Sequence, residues 1–293
     1  MTEAPSFVMS GEASDPAYVF TRDDQRGAAS KAFVEDLWKR CHPYVDVTCR
    51  SDARSHFLQR FWEMYLAVTL LEKGFKLEKP AGGGPEFCAL IDGRQTWFEA
   101  IAPTGGAGAD RVPELGSDEL RAVPVEQVLL RFTNALDEKR KKYCKALKAR
   151  VVDPKDPYVL AINWRGIHSD PTSATGAPYF VQAFLGVGGP AVAVNPSTRQ
   201  VLWQGHRDRG EVAKMSGAKV STRALLDEVG AFCSAVIGSA VDCANYPEQM
   251  GADFAVILNE RADNPLGLGA FPWWPNYWRH DQQLYRTGPG TVG

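Results

Sequence analysis

The chain has 293 residues, a formal net charge of -2 and 44% hydrophobic residues, enough for a substantial core in one large domain or two small ones. That charge excludes a broad cationic surface for coating duplex nucleic acid, and no apolar run approaches the roughly 18 residues of a membrane span. The first thirty residues hold Glu3, Asp15, Asp23 and Asp24 rather than a basic-then-apolar signal, so the protein reads as unexported and cytoplasmic, with no membrane partner.

Residues 1–27 are polar and expected to be mobile, and 28–293 to form a single α/β domain. Ala32, Phe33, Val34, Leu37 and Trp38 give a helix over 28–40 its apolar face. A second helix is expected from Ser51, capped by its hydroxyl and by acidic Asp52, to Gly74. It is apolar on most sides, and Glu63 is the only acid between Asp52 and Glu72; it is either a site residue or an edge acid paired with Arg60. Gly82-Gly83-Gly84-Pro85 lacks phosphate-loop spacing and leads to Glu86 and a strand, so it reads as an approach to a site.

Residues 87–91 and 95–101 are apolar runs separated by Asp92-Gly93-Arg94, and Asp-Gly tolerates the positive φ of a tight hairpin turn. Side chains alternate along a strand, so Trp97, Glu99 and Ile101 share one face and Thr96, Phe98 and Ala100 the other. A carboxylate among such groups asks for a cation. Glu86 and Glu63 are the nearest acids to share one, and oxygen ligands of this kind hold magnesium.

Residues 102–124 are loop-like, with the length of a functional lid or a disordered segment. A basic amphipathic helix follows over 125–150, with Val125, Leu129, Phe132, Leu136, Lys139, Tyr143 and Leu147 on one stripe. Lys139 either snorkels from that stripe or meets an anion in the core. Lys139 to Arg150 holds seven basic residues in twelve, the one strong phosphate-binding segment; Arg131, Lys142 and Tyr143 are further candidate phosphate contacts. Strands are expected near 157–163 and 252–258, a helix or strand over 179–187, a hairpin over 191–204 and a helix over 221–241. The aromatic tail (Phe271, Trp273, Trp274, Tyr277, Trp278) offers rings that stack on unpaired bases, but its two interleaved prolines favour a plug packed on the domain. Six cysteines without C-x-x-C spacing, and the dispersed His168, His206 and His280, give no zinc or triad pattern.

The order of a helix acid (Glu63), Pro85-Glu86 and then Glu99-Ala100-Ile101 resembles the PD-(D/E)XK, or restriction-endonuclease-like, nuclease superfamily, over residues 50–150, about a third of the chain. Two positions depart from the pattern. The first acid is Glu rather than Asp, and Ile101 stands where the family carries its lysine. In parts of that family the basic group has moved to the next helix within a Q-x-x-x-Y pattern, and Lys139-x-x-x-Tyr143 fits with Lys for Gln. The resemblance implies a central mixed β-sheet flanked by helices, with the core motifs in 51–150. It also implies a nuclease acting on DNA or RNA with Mg2+ or Mn2+. Glu86 and Glu99 would hold the metal, Glu63 would assist, and Lys139 would stabilise the transferring phosphate. A catalytically silent relative, kept for nucleic-acid binding or assembly, is the rival that Ile101 supports, and an unrelated α/β enzyme is the third reading.

Overall fold

Strands that are apolar on both faces, such as the run from Tyr158 to Ile162, have to be covered on both sides, and the chain meets that need with a layer of helices above and below one sheet. The computed structural model describes residues 5–80, 83–113, 123–167, 177–280 and 283–288. The helices are α1 (Pro16–Asp23), α2 (Ala28–Cys41), α3 (Cys49–Asp52), α4 (Phe57–Glu72), α5 (Val125–Lys148) and α6 (Tyr179–Leu185). The strands of the main sheet are β1 (Phe87–Ile91), β2 (Arg94–Ile101), β3 (Tyr158–Asn163), β8 (Ala235–Ser239), β9 (Ala255–Leu258), β10 (Asn276–His280) and β11 (Gln283–Arg286), lying side by side in that order. Between β3 and β8 in sequence come two hairpins, β4 (Val187–Val194) with β5 (Val201–Asp208), and β6 (Glu211–Ala213) with β7 (Lys219–Ser221).

The sheet is mixed. β1 and β2 are antiparallel, β2, β3 and β8 run parallel, β9 is antiparallel to β8 and parallel to β10, and β11 returns antiparallel. Alternation divides each strand between two cores. Phe98, Ala100, Val159, Ala161, Ala235 and Ile237 face α2 and α4, while Trp97, Ile101, Leu160, Ile162 and Val236 face α5 and α6. The Trp62 indole N–H on α4 reaches the Ala161 carbonyl at 3.0 Å, which places α4 across the middle of the sheet. Among the described residues no helix is long and apolar enough to cross a membrane.

Several expectations hold in detail. The hairpin turn has Asp92 at φ 50° and Gly93 at φ 74°, and Gly74 ends α4 at φ 87°. In the tail Phe271, Trp274 and Tyr277 are buried, whereas Trp273 is exposed.

Others need correction. Of the segment expected to be mobile, residues 5–27 are packed on the domain, because Phe7 and Tyr18 are fully buried and Trp38 donates to the Pro5 carbonyl at 2.8 Å. The helix expected from Ser51 is interrupted. α3 ends at Asp52, and α4 starts at Phe57, whose N–H is capped by Asp15 Oδ2 at 2.9 Å, a partner distant in sequence and invisible to a local capping rule. The helix expected over 221–241 is a set of turns and one 3-10 turn followed by strand β8, since Ala235-Val236-Ile237 is a short buried apolar run, which periodicity alone does not assign. The stretch 179–187 is helix α6 running into β4. Residues 114–122 of the long loop, and His168, lie outside the described residues.

Gly238 on the central strand β8 lies under the Trp164 and Phe180 rings, which stack 5.2 Å apart. A Cβ there would meet the Trp164 ring at 2.5 Å and the Phe180 ring at 2.9 Å. Gly238→Ala is therefore expected to lower stability by about 1–3 kcal/mol in urea unfolding, the usual cost of overpacking rigid rings.

Candidate active site

Hairpin register decides where the first two acids meet. Phe87 is paired with Phe98, and the Glu86 N–H donates to the Phe98 carbonyl at 2.9 Å, which carries the ladder one step past β1. Continuing that register sets Glu86 across from Glu99, on the same face of the sheet. Like charges directly opposed across two strands are destabilising unless a cation stands with them. Here the cation is the Lys142 ammonium, 2.8 Å from Glu99 Oε1 and 3.5 Å from Glu86 Oε1.

α5 supplies that ammonium because its apolar stripe packs on the same face of the sheet. Phe132, Leu136 and Tyr143 are buried there, and Lys139 and Lys142 fall between Leu136 and Ala146 on the buried side of the helix. Lys139 Nζ donates to Glu99 Oε1, while Lys141 and Lys145 are exposed, Lys141 pairing with Asp137 of its own helix. The Tyr158 hydroxyl, at the start of β3, donates to Glu99 Oε2 at 3.2 Å. Glu99, with no exposed surface, thus has both oxygens engaged. Tyr158 was not singled out from the sequence. No local signal marks it, because the contact depends on β3 lying parallel beside β2 with Tyr158 paired to Trp97.

Glu63 joins the same cleft from α4. It is 2% exposed and accepts from Arg60 Nη1 at 2.8 and 2.7 Å and from Gln59 Nε2 at 2.8 Å. Arg60 also reaches Asp52 at 2.9 Å, and Gln59 Oε1 accepts the Ala102 N–H at 2.7 Å, tying the helix to the end of β2. Gln59 and Arg60 are two further residues that position an expected site acid, four and three places ahead of it as helical geometry requires. Glu63 pairs with Arg60 but is buried rather than at an edge, and it lines the same cleft as Glu86.

The other candidates lie elsewhere. Arg131 Nε donates to the Thr104 carbonyl at 2.8 Å, so its guanidinium is committed to the 104–106 loop. Tyr143 is buried with its ring centroid 4.8 Å from Tyr158 and 5.1 Å from Phe232, a packing position rather than a phosphate contact.

Glu63, Glu86, Lys139 and Lys142 line a cleft of about 410 Å3 together with Asp46, Arg60, Lys79 and the Gly83–Glu86 approach, while Glu99 is fully buried and outside its lining. Burial, together with the charges of Glu63 and Glu99, pushes the Glu86 carboxyl up to about 8, with Lys142 and Lys139 pulling the other way. Burial would lower the Lys142 ammonium, but attraction to Glu99 and Glu86 outweighs it and leaves the pKa raised. Burial and Glu99 also raise the Tyr158 phenol well above its ordinary value, keeping it a donor.

Glu63 and Glu86 line the cleft and Glu99 is buried beside Glu86; carboxylate oxygens are the donor type that magnesium or manganese takes, and Glu86 is the more exposed of the opposed pair. As the side chains stand, no three His, Cys, Asp or Glu residues among those described are arranged as metal ligands. Lys142 lies between Glu86 and Glu99 instead.

The Glu86 shift has a sign that stability measurements can read. A carboxyl raised in the folded state contributes stability below the ordinary glutamate range and loses it as pH rises toward 8. In chelator-treated buffer, Glu86→Gln is expected to match wild type in Tm near pH 5 and exceed it at pH 8–9; an unchanged pH profile would contradict this environment. Comparison of the chain with protein-family models, with curated proteins and with solved structures finds no match, so the reading of the site rests on its own geometry and chemistry.

Proposed function

We propose that this protein is a metal-dependent phosphodiester hydrolase acting on DNA or RNA, a divergent member of the PD-(D/E)XK superfamily with a restriction-endonuclease-like core. The observation that carries the proposal is the meeting of Glu86 and Glu99, opposed across one hairpin, with Lys139 and Lys142 of the crossover helix at the inner end of a cleft. The order of elements agrees with it. Helix α4 carries Glu63, an antiparallel bridge from Glu78 to Cys88 precedes the β1–β2 hairpin, and α5 returns the chain to β3, parallel to β2. Lysines from α5 supply Glu99 with the positive charge that Ile101, two residues further along the same strand, does not carry.

A bound magnesium or manganese ion supplies Lewis-acid polarisation of the phosphate and a bound water of lowered pKa. Glu86 and Glu99 are the residues to hold it, with Glu63 fixed beside them by Arg60 and Gln59. Lys139, 14% exposed and aimed at Glu99, is placed to offset charge that develops on a phosphate at the inner end of the cleft. Lys79, which lines the cleft, adds positive charge for a nucleic-acid backbone without requiring a basic surface over the whole molecule.

The second reading, a silent relative that binds without cutting, is favoured by the full burial of Glu99 and the engagement of both its oxygens. Cleavage assays on single- and double-stranded DNA and RNA separate the two. With magnesium or manganese the wild type is expected to cut at least one of these, and Glu86→Gln to reduce the rate by about 100-fold or more. Glutamine keeps the volume and hydrogen-bonding capacity, so the loss is read apart from unfolding. Metal binding without cleavage of any of the four substrates would replace the enzyme by the silent relative.

A further inference from the structure

Glu86, Glu99, Lys139 and Lys142 form a quartet of two carboxyl and two ammonium groups, neutral once Glu86 is ionised. Its two lysines differ in freedom. Lys139 is 14% exposed and bonds Glu99 alone, whereas Lys142 is 39% exposed, touches both acids and borders the open cleft. We propose that Lys142 is a tethered counter-ion, its ammonium occupying the position between Glu86 and Glu99 that a divalent cation takes, so that cation entry requires this side chain to swing out into the cleft. The inference rests on the metal-dependent reading above and adds to it a competition internal to the chain.

Two physical consequences follow from the charge count. A divalent ion added to a neutral quartet leaves two uncompensated positive charges in a part-buried site, which is unfavourable without anions. A phosphodiester in the cleft offers that charge and also a partner for the displaced Lys142 ammonium. Metal and nucleic-acid backbone therefore bind together, each strengthening the other by the same factor. In the absence of substrate, Lys142 keeps the opposed acids satisfied and the cation affinity low.

The test is titration of chelator-treated protein with Mn2+, read by calorimetry and by the Mn2+ electron paramagnetic resonance signal, with no substrate present. Lys142→Met keeps most of the apolar stem and removes the charge; Lys139 and Tyr158 still bond Glu99, so the fold is retained. Its Mn2+ affinity is expected to rise at least tenfold over wild type. Lys142→Arg, which restores a cation, is expected to bind as weakly as wild type, and Lys145→Met, on the exposed side of the same helix, to change nothing. An affinity for Mn2+ that is equal or lower in Lys142→Met would overturn the tethered counter-ion while leaving the metal site in place. Absence of Mn2+ binding in the wild type and in all three variants would overturn the metal-dependent reading, and this inference with it.

Discussion

Glu99 has no solvent contact, yet it lies on a strand whose other side chains on that face are Trp97 and Ile101. Removing one partner of a buried ion pair costs about 3–5 kcal/mol, so a carboxylate in this position constrains everything packed over it. That constraint accounts for the two lysines beside a stripe of α5 that is otherwise apolar, with Leu136 before them and Tyr143 and Ala146 after. Lys139 is largely buried and Lys142 stands at the border of the cleft, and both ammonium groups bond Glu99. The Tyr158 hydroxyl completes the shell from the neighbouring strand.

The same logic explains the cleft. Glu86 lies one step beyond β1, close enough to Glu99 to share Lys142 but still 18% exposed, and so it is the acid that a solvent-borne cation or ligand meets first. Glu63 arrives from the opposite helical layer and carries its own cation in Arg60. Because α4 is anchored at its start by Asp15 and along its length by the Trp62 to Ala161 bond, the acids are held by elements with little room to move. This is how a site made from a helix, a loop and a strand keeps a fixed geometry.

Much of this is legible in sequence where local rules suffice. The Asp92-Gly93 dipeptide marks the hairpin, but the sequence alone leaves Arg94 in the turn, whereas Arg94 pairs with Ile91, and that register is what places Glu86 across from Glu99. The position of Lys139 on the apolar stripe was likewise readable, and so was its need for an anion. What could not be read are the long-range partners. Asp15 capping α4, Phe7 and Tyr18 drawing the first residues onto the core, and Tyr158 reaching Glu99 all depend on which strands become neighbours. Lys142 is readable only as a candidate phosphate contact, because helical spacing gives its side of the helix and not its reach to Glu86 and Glu99. The stretch around Ala235-Val236-Ile237 was misjudged for a different reason, since a central strand covered on both faces has no period of two to reveal it.

The central claim is that Glu99 and the two lysines of α5 form one buried electrostatic unit, and a double-mutant cycle measures it without assuming any activity. Stabilities of wild type, Glu99→Gln, Lys139→Met and the double variant are compared by urea unfolding at neutral pH in chelator-treated buffer. The account predicts that the two changes are coupled by about 1 kcal/mol or more, within the range seen for residues in one ion-pair network. Additive effects within about 0.5 kcal/mol would contradict it, by showing that Lys139 and Glu99 contribute to stability independently of each other.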